Sequence, residues 1–162
     1  MRFVKKKSNK TSFVRKVEIQ FINPEDKYIL DSQSKKLNFL QNKLKEEIEK
    51  DLWLLNRSGF YNLSNNTIDQ LVSSIFTNQG VRNRVPKLKD KYPFLKTVYS
   101  STAKNIGLKV ADSINKFVNK KAGWIKYKSW KKYWCSLEYE EKNKGWQVDG
   151  GSLSLSCGKE LK

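Results

Sequence analysis

Histidine is absent from this chain of 162 residues, methionine occurs once, cysteine twice and proline three times, and only 16 acids stand against 33 lysines and arginines. Each shortage narrows what the chain does. Without histidine it lacks the usual general base and the commonest metal ligand. Cys135 and Cys157 sit in separate segments with no second cysteine beside either, so no zinc site assembles from this chain alone, and both read as reduced, inert thiols. No apolar run approaches the ~20 residues that cross a bilayer, and the Lys-rich start lacks the apolar core of a signal peptide. The expectation is a cytoplasmic protein without a membrane partner. Glu138, Glu140 and Glu141 fall in a lysine-rich polar run and read as a solvated loop, and no Gly-rich phosphate cradle occurs. With neither cofactor nor paired carboxylates, enzymatic activity by this chain alone is not expected.

What is present is positive charge. A formal charge of +17 on one ordinary domain, or on one small domain with an insertion, costs self-repulsion that a polyanion relieves. The charge comes with five Trp and seven Tyr, a pairing that suits phosphate neutralisation plus packing on bases or riboses. Nucleic acid is therefore the leading partner class.

Along the chain, residues 1–12 carry Lys5, Lys6 and Lys7 and read as a basic arm. Phe13, Val17, Ile19 and Phe21 then alternate with polar residues as in a half-buried strand, which also carries Arg15. Asn23-Pro24-Glu25-Asp26 announces a helix, and Leu37, Leu40, Leu44, Ile48 and Leu52 form its stripe up to Asn56-Arg57-Ser58-Gly59, with a weak point near Asp31 to Ser34. A second helix starts at Asn66 or Thr67 and ends at Gly80 as its C-terminal cap. The segment "VRNRVPKLKDKYPFL", with two prolines, reads as a connecting loop. Ser100 or Ser101 caps a third helix with Ala103, Ile106, Val110, Ile114 and Phe117 as its buried stripe. Finally "GWQVDGGSLSLSC" reads as a hairpin. The expected layout is α+β: a β part from residues 13–23 and 124–162, with 24–123 as a helical insert.

The stretch "GWIKYKSWKKYW" packs rings and lysines together without an acid. As a strand it puts Trp124, Lys126, Lys128, Trp130 and Lys132 on one face; as a helix it lines up Trp124, Tyr127, Trp130 or Lys131 and Trp134. Two roles fit: the rings plug the joint between insert and sheet, or lysines meet phosphates while rings pack on sugars and bases. Both hold together without conflict.

The order "YPFLKTV", "SSTAKNIGLKVADSINKFV", "GWIKYKS", "WQVDGGSLSLS" resembles the N-terminal half of the OrfB or TnpB family, transposon-encoded RNA-guided DNA endonucleases related to compact type V CRISPR effectors. The resemblance implies a partial wedge-type β-barrel made from the terminal strands, with the helices as a recognition insert. It implies guide RNA and the duplex DNA next to the target as partners, with most sequence specificity delegated to base pairing. Carried over by position, the motif-reading turn falls on Ser100, Ser101 and Lys104, with Asn65 and Asn66 as further candidates and Asn105 as another nucleic-acid contact. Two departures stand out: Ile125 replaces the proline of "GFPKFKS", and a charged tract from Glu138 to Lys144 lengthens the following loop. The family's RuvC-like nuclease and zinc ribbon are not encoded here, so a separate chain is the expected source of cutting. The competing reading is a stand-alone helix-turn-helix DNA regulator, opposed by a loop between the two shorter helices far longer than the ~3 to 4 residues of that motif.

Overall fold

Asn23 and Pro24 open a 33-residue helix, α1 (Pro24–Asn56), with Glu25 and Asp26 in its positively polarised first turn. The computed structural model describes residues 23–129, 137–139, 144–149 and 151–156. The arm, the opening strand and Trp130, Lys131 and Lys132 lie outside them. α1 runs unbroken through Asp31 to Ser34, because Gln33 and Ser34 are themselves buried and Gln33 donates to the carbonyl of Thr97 at 3.1 Å. Tertiary contact thus overrides a locally weak sequence.

Next come α2 (Asn65–Phe76), α3 (Asn78–Lys91), a 3₁₀ turn (Pro93–Thr97) and α4 (Ser100–Val118). Ser64, rather than Asn66 or Thr67, caps α2 by accepting from the Thr67 N–H at 3.2 Å. The segment expected to be a loop is largely α3. Its buried residues Val81, Val85 and Leu88 return at helical spacing and face α4 and α1, which offsets the hydrogen bond that Pro86 removes. Thr77 makes the corner between α2 and α3: its hydroxyl donates to Ser73 O at 2.7 Å and accepts from the Gly80 N–H at 2.9 Å. Gly80 therefore belongs to the first turn of α3 and does not cap α2. A Cβ there would lie 2.3 Å from Ser73 O and 2.6 Å from Ser74 Cα, so only glycine permits this approach.

One core joins Leu37, Leu40, Leu44 and Ile48 of α1, Ile75 of α2, the α3 residues above and Ala103, Ile106, Val110 and Ile114 of α4. Ile125 enters the same core, so the segment after α4 packs on the helices. Phe117 is mostly outside it, against the edge of Trp124.

The β structure among the described residues is one antiparallel pair, β1 (Trp146–Asp149) and β2 (Ser152–Leu155), in register from Trp146↔Leu155 to Asp149↔Ser152. Gly151 follows at φ +86°, the left-handed region glycine favours. The α+β class holds. The described residues form no barrel, since two strands leave both outer edges unclosed.

Candidate nucleic-acid interface

Two places gather lysines, and they differ in what answers the charge. The first is residues 123–129, which are neither helical nor paired as a strand. They run antiparallel to α1 and are held by Asn42, Lys45 and Glu49, which share one helix face by their spacing. Asn42 grips the backbone of Lys128 twice, donating to its carbonyl at 2.9 Å and accepting from its N–H at 2.8 Å. Glu49 accepts from the Trp124 indole at 2.9 Å and from the Tyr127 hydroxyl at 3.2 Å. Lys45 is buried, paired with Glu49, and holds its ammonium 3.7 Å from the Tyr127 ring centroid. Burial pushes the Glu49 carboxyl up, but the hydrogen bonds from Lys45, Trp124 and Tyr127 outweigh it and leave the pKa lowered.

Trp124 is half-buried and fixed here between helices, against Glu49 of α1 and Phe117 of α4, and no hydrogen bond or ring contact ties it to the strand pair among the described residues. Tyr127 and Lys126 are exposed and Lys128 is half-buried, so this segment also presents a basic outer side.

The second place is the start of α4. Tyr99 occupies its N-cap position and no side chain caps the helix there, so Ser100 and Ser101 are first-turn residues rather than caps. Ser100 and Lys104 are exposed and Ser101 is half-exposed. Lys89 reaches across from α3, donating to Val98 O at 2.9 Å and Ser100 Oγ at 3.3 Å. Burial and the positive charge of Lys104 together lower the Lys89 pKa. The structure thus brings Ser100, Ser101, Lys104 and Lys89 to one helix N-terminus, which already carries partial positive charge. Asn105 turns inward instead. At 6 % exposure it is part of the packed side of α4, with no partner for Nδ2, and stands apart from this surface.

Sequence reading missed Lys89 because its segment was assigned to a loop. The signal was Val81, Val85 and Leu88, whose spacing puts Lys89 on the flank of a helix. Asn65 and Asn66 are exposed in the first turn of α2, away from both lysine groups in sequence.

No protein-family model, curated protein or solved structure matches the chain. No metal-binding group of His, Cys, Asp or Glu forms among the described residues, and no helix among them is long and apolar enough to cross a membrane.

Proposed function

We propose that this chain is a nucleic-acid-binding module whose phosphate grip centres on the open N-terminus of α4. The carrying observation is geometric: Lys89 reaches from α3 to Val98 O at 2.9 Å and Ser100 Oγ at 3.3 Å, and so joins exposed Lys104 at a helix end that no side chain caps and that favours anions. A phosphate oxygen relieves the repulsion of the two ammonium groups and satisfies first-turn N–H groups together. α3 adds Arg82, Lys87 and Lys91, whereas Arg84 is taken up by Asp51 at 2.6 Å. The basic outer side of 124–129 extends the cationic surface.

In this reading the chain is the binding portion of a TnpB-like RNA-guided effector. It holds guide RNA, contacts the DNA next to the target, contributes wedge-like β structure, and leaves cutting to a separate nuclease chain. The test is anisotropy of labelled RNA hairpin and DNA duplex across salt concentrations. Lys89→Gln with Lys104→Gln weakens duplex binding about tenfold or more at low salt and flattens the log K against log salt slope by roughly two. Unchanged affinity and slope would overturn the proposal.

A second reading gains from one observation. α2 and α3 are separated only by Thr77, which removes the long loop that argued against a helix-turn-helix regulator. Tight binding to a palindromic duplex without RNA selects this alternative.

A further inference from the structure

Outside both lysine groups, three rings crowd the far end of α1. Trp53 is 48 % exposed, Phe60 82 % and Tyr61 45 %. Tyr61 lies 5.9 Å from Trp53 at a tilt of 45° and 5.1 Å from Phe60, edge to face. Arg57 stands over Trp53, 4.3 Å from the ring centroid. These rings are neighbours of one another rather than members of the core, whose α1 stripe passes on the side of Ile48, Leu52 and Leu55. The turn that presents them is closed by backbone hydrogen bonds, Tyr61 N–H to Arg57 O at 3.1 Å and Leu63 N–H to Ser58 O at 3.0 Å.

We infer that Trp53, Phe60 and Tyr61, flanked by Arg57, form a stacking platform for unpaired bases of a single-stranded nucleic acid. This deepens the nucleic-acid reading and rests on it. Three observations fix the occupant. Arg57 is exposed beside the rings and is joined to no carboxylate in the ion pairs of the described residues, on a chain of net charge +17. The exposed surface of these three residues together is on the order of 400 Å². That matches one or two stacked bases and falls well short of the ~800 Å² per partner of an ordinary protein interface. Asn56 and Asn62, both exposed and close to these rings in the chain, carry amides that both donate and accept, as base edges require.

The experiment compares a labelled unstructured oligouridylate of about 15 nucleotides, its oligodeoxythymidylate counterpart and a blunt duplex, with the full chain and with Trp53→Ala/Phe60→Ala. The expected result is a loss of about tenfold or more on single strands and little change on duplex, with an unaltered thermal melt. Trp53→Phe keeps most of the affinity, because a ring face remains. A preference between the two single strands identifies the sugar. Equal losses on single strand and duplex, or no loss on either, overturns the platform while leaving the α4 grip standing. Failure of the unmodified chain to bind any of the three at low salt overturns both.

Discussion

The segment 123–129 and the start of α4 are built from the same kinds of residue, yet they behave oppositely. Beside the first, one carboxylate, Glu49, takes the buried ammonium of Lys45 and two ring donors, so Trp124 and Tyr127 dock the segment on α1 while Lys126 stays exposed. At the second, the charge acting on Lys89 is another lysine. The lesson is that a basic, aromatic composition does not mark a binding surface. In the proposed reading the mark is cationic charge that no carboxylate among the described residues pairs, at a place where an anion fits.

Moving an acid across that divide is the strongest test. Lys104→Glu gives the α4 end its own carboxylate, near Lys89 and the helix N-terminus. The melting temperature should hold or rise while nucleic-acid affinity falls about 100-fold, two readouts moving in opposite directions. Equal affinity would mean that the two regions do not differ as argued.

On the docked side, Asn42→Ala removes both hydrogen bonds to the Lys128 backbone. Denaturant unfolding should show a loss of about 1–3 kcal/mol, with the salt slope for nucleic acid unchanged. A binding defect as large as that of the lysine variants would merge the two regions into one site.

The smallest effect is with pH. The Glu49 pKa is held below its ordinary 4.5, so its contribution is fully present above that value and fades as pH falls through the lowered one. The indole N–H resonance of Trp124, identified by its loss in Trp124→Phe, should move in that acid window. Glu49→Gln should abolish the movement, and Lys89 should show no response there.

The helices were legible where an apolar stripe repeats without interruption. Leu37, Leu40, Leu44 and Ile48, and again Ala103, Ile106, Val110 and Ile114, are buried as their spacing implies. α3 was not, because Pro86 and five basic residues mask a stripe of only three apolar positions, and because proline's local penalty is met by packing that sequence does not display. The hairpin followed from its glycines and alternation. Of the candidate site, Ser100, Ser101 and Lys104 were named through the family resemblance, and the structure gathers them at one helix end, whereas Lys89 needed the missed helix. The roles of Trp124 and Tyr127 turned on a glutamate 75 and 78 residues away. Such long-range pairing leaves no trace in a local pattern.

The corner at Thr77 carries one more consequence. Because one hydroxyl closes both helices and bare backbone touches backbone at Gly80, α2 and α3 form a bent lever with no slack at its elbow. A side chain at Gly80 would therefore pry the two helices apart at that corner, and would disturb Ile75 and Val81 on either side of it in the core.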